Sequence, residues 1–175
     1  MRQFARKSDM DLKKIDVNEV LERAFEIFSQ QLKVRGIDVV WEIEKNLPRI
    51  MAGPDRLEQV FINLLINARD AIEQKRQQKV QDITNNKITI TTKTSEKEVV
   101  VKVKDTGVGI PEAILDKLFE PFFTTKQVGK GTGLGLSISY GIIKECNGSI
   151  KALSVNDGGA CFVIKFPIPG LKRTK

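Results

Sequence analysis

Apolar residues return every three or four positions from Val20 to Leu32, through Leu21, Ala24, Phe25 and Phe28. That period predicts an amphipathic helix, with Asp16 placed to cap its start and Gly36 to stop it. "IDVVWEIE" (residues 37–44) alternates like a half-buried strand, and "RIMA" just after it suggests a short partner strand. Gly53-Pro54 opens a second helix that runs to about Gln77. Its Leu57, Val60, Phe61, Leu64, Leu65, Ala68 and Ile72 fall on one side of the wheel. "KITITTKT" and "EVVVKVKD" read as one hairpin, and "SIKALSV" and "ACFVIKFPI" as a second across "NDGG". Residues 105–132 are loop-like, with a short helix after Pro111. "GLSISYGIIKEC" is a third long helix, ended by Asn147-Gly148. These elements predict an α+β, two-layer sandwich: a mixed, mainly antiparallel sheet with three long helices on one face. The first dozen residues are charged and lack an apolar period, as a linker or a frayed helix end does.

Composition narrows the chemistry. The chain has 175 residues, 41% hydrophobic, enough for one domain with a core. Its net charge of +7 favours an anionic partner, but the lysines are scattered and aromatics few, which argues against nucleic acid. No apolar run is long enough to span a membrane, and "MRQFARKSDMDLKK" is too polar for a signal peptide. Two cysteines, Cys146 and Cys161, suit a reducing compartment, so a cytoplasmic location is expected. There is no histidine, which removes the commonest general base and metal ligand together. Phosphate chemistry here must rest on carboxylates, amides, lysines and Mg²⁺.

Four stretches carry candidate chemistry. In "GKGTGLGLS" glycines stand at 129, 131, 133 and 135, just before a helix. A helix start offers unpaired N–H groups to a phosphate, although a flexible loop would look the same. The stretch is not a P-loop, since Gly131 follows Gly129-Lys130, and the dinucleotide spacing fails as well. On the second helix Asn63, Asn67 and Asp70 share one side, between apolar stripes. The two amides are either metal ligands or hydrogen-bonded at a core edge. "VKDTGVGIP" ends a strand in Asp105 beside a bare turn, where a carboxylate can accept a hydrogen bond from an amine; an ordinary turn has the same composition. In "LFEPFFTTKQVGKG", Phe119, Phe122 and Phe123 suggest the anchored base of a lid whose tip, Thr124 to Lys130, is expected to be mobile.

Taken in order, "NLLINARDAI", "DTGVGIP", "LFEPFFTTK" and "GTGLGLS" resemble the N, G1, F and G2 boxes of the ATP-binding catalytic domain of bacterial two-component sensor histidine kinases. The likeness covers about residues 15–168. It implies the Bergerat fold, with residues 1–14 as linker and tail of a dimerisation hairpin and 169–175 as a C-terminal tail. It implies ATP and Mg²⁺ as ligands. Asp105 matches the carboxylate that accepts the adenine amine, and Gly107 and Gly109 the turn that lets adenine approach. Asn67 matches the Mg²⁺ ligand, with Asn63 beside the phosphates. Gly131, Gly133, Gly135, Leu134 and Leu136 match the helix start that holds the phosphates. Ile110, Phe123 and Thr132 belong to the same nucleotide site, and Lys126 and Lys130 are candidate lid cations. Cys161 stands where many relatives have a Thr near adenine. Many relatives have Lys or Arg where this chain has Asp70, with Arg69 before it.

The resemblance further implies that the γ-phosphoryl group goes to a histidine on a separate hairpin domain and then to a response regulator receiver domain. A monomeric fragment of a homodimeric parent is expected, the parent being soluble or membrane-anchored. Two other readings stand beside this one. One is a nucleotide-binding module without catalysis. The other is a gyrase-type ATPase, which resembles this family but carries a Glu at the place of Asn63. An amide cannot take a proton from water at neutral pH.

Overall fold

A computed structural model describes residues 11–78, 85–126, 129 and 131–171. Lys130, the neighbouring lid positions 127 and 128, and most of the two terminal tails lie outside the described residues. The elements run β1 (Lys13–Ile15), α1 (Val17–Val34), β2 (Asp38–Ile43), β3 (Ile50–Ala52) and α2 (Pro54–Gln77). Then come β4 (Lys87–Ser95), β5 (Glu98–Asp105), a 3-10 helix (Glu112–Lys117), α3 (Gly135–Glu145), β6 (Ser149–Ser154) and β7 (Ala160–Pro167).

The main sheet has the order β2-β4-β5-β7-β6. β2 lies parallel to β4, and the remaining neighbours are antiparallel, including both expected hairpins. β3 does not pair with β2 as its place in the sequence suggests. It pairs antiparallel with β1, Ile15 opposite Ile50. β1 takes Lys13 and Lys14 from the charged N-terminal stretch, whose pattern shows no strand. Because β1 leads into α1 and β3 into α2, this small sheet ties the two helix starts together.

Each helix starts for a local reason. Asp16 is extended (φ −89°, ψ 119°) and its carboxylate accepts the Asn18 N–H at 2.8 Å, which satisfies a free donor of the first turn. Pro54 opens α2, where a missing N–H costs nothing. Along α2 the predicted stripe, Leu57, Val60, Phe61, Leu64, Leu65, Ala68 and Ile72, is buried throughout. It meets Ile88 and Ile90 of β4, Val99, Val101 and Val103 of β5, and Phe162, Ile164 and Phe166 of β7 in one core. These strand residues alternate, so one face of the sheet is covered by helices and the other bears Lys102, Lys104, Lys151 and Lys165. α2 lies between α1 and α3. Among the described residues no helix is long and apolar enough to cross a membrane.

Candidate functional site

Asp105 continues the inward alternation of Val99, Val101 and Val103, and so ends β5 buried, at 3% exposure. Its Oδ1 accepts the N–H groups of Gly107 at 2.8 Å and Ala160 at 3.3 Å. Its Oδ2 accepts no protein hydrogen bond among the described residues, and is left for a donor from outside. Burial pushes the carboxyl up to about 6, against the two amides and the charge of Lys75, which pull it down. Lys75 reaches from α2 and donates to the Thr106 carbonyl at 3.1 Å.

The turn after Asp105 is pressed against α2. A Cβ at Gly107 would lie 2.5 Å from the carbonyl carbon of Ala71, and the Val108 N–H donates to the Ala71 carbonyl at 3.2 Å. The absent side chain at 107 is therefore already demanded by the protein's own helix. Gly109 has φ +77° and faces the Gly159 backbone. Gly159 stands in the turn of the second hairpin. A Cβ there would fall 2.0 Å from the Asp105 carbonyl oxygen, so this glycine lets β7 close on the site. The doubled glycine of "NDGG" before a strand was the only signal.

The rest of the site follows the polar side of α2 away from this turn. Asn63 and Ala71 are eight residues apart, about 12 Å along a helix. At the far end the Asn63 amide donates to the Gly135 carbonyl and the Ser139 hydroxyl, both at 3.3 Å. A carboxylate could not donate there. These bonds hold the start of α3 against α2, and among the described residues no side chain caps that start. A Cβ at Gly135 would meet only the Asn63 amide, at 3.9 Å, so packing does not require glycine there. Between the ends stands Asn67, half-buried. Its side chain makes no hydrogen bond among the described residues.

The segment between the turn and α3 supplies the opposite wall. Phe119 packs on Tyr140 and Phe162, with centroids at 5.6 and 6.5 Å. Phe123 is half-buried. Phe122 does not anchor by its ring, which is 74% exposed. It anchors through its backbone at φ 65°, its N–H donating to the Gly133 carbonyl at 2.9 Å. The Thr132 hydroxyl accepts the Leu134 N–H at 3.3 Å, and Leu136 packs on the core. Lys126 lies against Gly131 and donates to Asp70 across the gap at 2.6 Å. Ile110 packs on the core edge and its carbonyl accepts the Ser154 hydroxyl.

Cys161 is not part of this arrangement. It pairs with Lys104, on the face of the sheet opposite Asp105. Strand alternation turns its thiol outward, and it is the neighbouring Ala160 that meets the carboxylate.

A buried carboxylate, an amide without a partner among the described residues and a helix start without a side-chain cap among them follow one helix of an α+β sandwich, an arrangement that can take an amine at one end and a phosphate at the other. Residues 52–170 match the model of the histidine kinase-, DNA gyrase B- and HSP90-like ATPases, and the chain belongs to that family. It is 37% identical over 169 residues to the sensor kinase CckA of Brucella abortus (strain 2308), covering 94% of this chain and 18% of that one. The solved, nucleotide-free catalytic domain of histidine kinase ThkA superposes with TM-score 0.76 at 33% identity, covering 91% of this chain and 97% of that one. Full-length ShkA in complex with AMPPNP gives TM-score 0.75 at 26% identity, over 91% of this chain and 31% of that one. ThkA in complex with response regulator protein TrrA gives 0.72 at 31%, over 93% and 43%. The chain spans 18% of the length of CckA and 34% of ZraS of Escherichia coli O157:H7. Within the family it is a histidine-kinase catalytic domain.

Proposed function

We propose that this domain binds Mg-ATP along the polar side of α2 and passes the γ-phosphoryl group to a histidine on a separate dimerisation domain. A response regulator then receives the group. The observation that carries this reading is the open Oδ2 of Asp105, a reachable acceptor on an otherwise buried residue, which suits the exocyclic amine of adenine and repels the carbonyl that guanine has there. Asn63 holds the α3 start in place, and the first-turn N–H groups of α3 face the phosphates. Asn67 fits Mg²⁺: its side chain has no hydrogen-bond partner among the described residues, and a neutral amide oxygen suits that ion alongside phosphate and water oxygens. When bound, the ion offsets the phosphate charge and polarises the transferring group. With an amide at 63 the domain has no base there to activate water, which supports transfer to a stronger nucleophile over hydrolysis. ShkA with AMPPNP and ThkA with TrrA support the reading by likeness. Residues 15–168 are the proposed unit, with β1 adding Lys13 and Lys14 at its edge.

The test supplies γ-labelled ATP and a hairpin domain carrying a phosphoacceptor histidine from the same parent kinase. Label on the hairpin that needs this domain is expected. Nucleotide binding with no transfer to that hairpin would leave a binding module and overturn the reading.

A further inference from the structure

The nucleotide reading leaves Asp70 without a part. It sits one turn beyond Asn67 on the polar side of α2, and its two oxygens are divided between two cations. Oδ2 accepts the Lys126 ammonium at 2.6 Å, and Oδ1 accepts Arg69 through two nitrogens at 2.9 and 2.7 Å. Arg69 is itself fixed from α1: it donates to Gln31 at 2.9 Å and lies over the Phe28 ring at 5.2 Å. Burial pushes the Asp70 carboxyl up, but the bonds from Lys126 and Arg69 outweigh it and hold it below the usual carboxylate range. It is therefore ionised in neutral solution.

Two details separate this pair from an ordinary surface bridge, which contributes little. All three side chains are shielded, at 26% exposure for Asp70, 19% for Arg69 and 32% for Lys126. Lys126 also lies against Gly131, in the run of glycines that leads to α3; a Cβ at that glycine would come within 2.9 Å of the Lys126 stem. Lys126 thus joins Asp70, one turn beyond Asn67 on α2, to the segment that carries Gly131. It has three N–H donors and uses one on Asp70, so two remain. Two cations and one carboxylate carry together the net charge of a single lysine on α2.

We propose that Asp70 is a positioning residue that holds the Lys126 ammonium on the α2 wall, where Lys126 contacts the terminal phosphates of the bound nucleotide. This rests on the ATP reading above. A lysine without its carboxylate still carries charge, but a carboxylate without its lysine opposes the triphosphate. The two residues are therefore coupled, with a defined sign.

The experiment measures ATP and ADP affinity by calorimetry, with a thermal melt of every protein. The proteins are wild type, Asp70→Asn, Lys126→Ala, Lys126→Ala/Asp70→Asn, and the exchange Asp70→Lys/Lys126→Asp. Asp70→Asn alone is expected to weaken ATP binding more than ADP binding, and wild-type ATP affinity in that protein overturns the positioning role. Lys126→Ala is expected to lose about tenfold in ATP affinity and about threefold or less in ADP affinity. The second substitution, Asp70→Asn, should regain part of that loss, and the exchange should bind ATP better than Lys126→Ala alone. A purely structural pair would instead shift melting and leave the ratio of ATP to ADP affinity alone; that result overturns the proposal. So does a double variant no better than Lys126→Ala. Absence of nucleotide binding in the wild type would overturn the ATP reading as well, and so is distinguishable from failure of this inference alone.

Discussion

Asp105 holds two backbone amides with one oxygen and, in the function proposed above, offers the other to a base, so the two tasks can be separated by substitution. Asp105→Asn keeps an oxygen for Gly107 and Ala160. It places an N–H where the adenine amine would donate. ATP affinity should fall by roughly 1.5–3 kcal/mol, the worth of a hydrogen bond to a charged group. Calorimetry with ATP and GTP tests this, and equal ATP affinity in the two proteins would sink the adenine assignment. The same carboxyl makes a pH prediction. Its folded value of about 6 lies above the ordinary carboxylate range, so the folded state holds the proton more tightly. The stability it contributes is full below that range and is lost as pH rises through about 6. The melting temperature of Asp105→Asn relative to wild type should therefore rise from about pH 4 to about pH 7 and level off above that, since the linkage runs from the ordinary carboxylate value to the folded one. A difference that stays flat with pH would contradict the burial argument. At Asn67, substitution by Ala should abolish phosphoryl transfer while adenosine affinity survives. Normal transfer by that variant would mean the metal ligand is misplaced.

At the scale of elements, the site depends on how closely β7 approaches the end of β5. Gly159 has φ +90°, and a side chain there would collide with the Asp105 carbonyl; its neighbour Gly158 has φ +85° but no atom nearer than Lys75 Nζ at 4.0 Å. Gly158→Ala should cost about 1–2 kcal/mol from backbone strain alone. Gly159→Ala should cost clearly more, because the strand pair must part, and should weaken ATP binding with it. Denaturant unfolding of both variants tests the order; equal losses would show that the close approach is relaxed in solution. Gly159 illustrates why part of the site was not legible in the chain. "NDGG" announces a turn, but nothing in it says that the turn closes over a carboxylate more than fifty positions away. Asp105, Asn63 and Asn67 were legible, because periodicity put them at a strand end and on one side of a helix.

Over the whole molecule, what matters most is what the chain does not contain. It has no histidine, so it cannot form a phosphohistidine on itself however well it binds ATP. With Asn63 donating to Gly135 and Ser139, it also has no base at that place to activate water. The isolated domain incubated with labelled ATP should remain unlabelled and should release phosphate very slowly, until a histidine-bearing hairpin is added. Brisk hydrolysis by the domain alone would move the reading to the gyrase-type ATPases.

The sequence by itself determined the elements and their inner faces, since a helix or strand shows its period locally. Seven of seven predicted stripe residues on α2 are buried, and both hairpins form where the alternation puts them. It also determined the chemistry available, through the missing histidine and the boxes around Asn67 and Asp105. Only the tertiary structure decided which distant parts meet. β3 pairs with β1 because the small sheet joins two helix starts, a contact with no period to reveal it. Cys161 turns away from the site because one residue of strand register reverses the face a side chain occupies. Asp70 finds Lys126 because two segments 56 residues apart form opposite walls of one gap. Local patterns set which way a side chain points along its own element; the packing of elements sets what it points at.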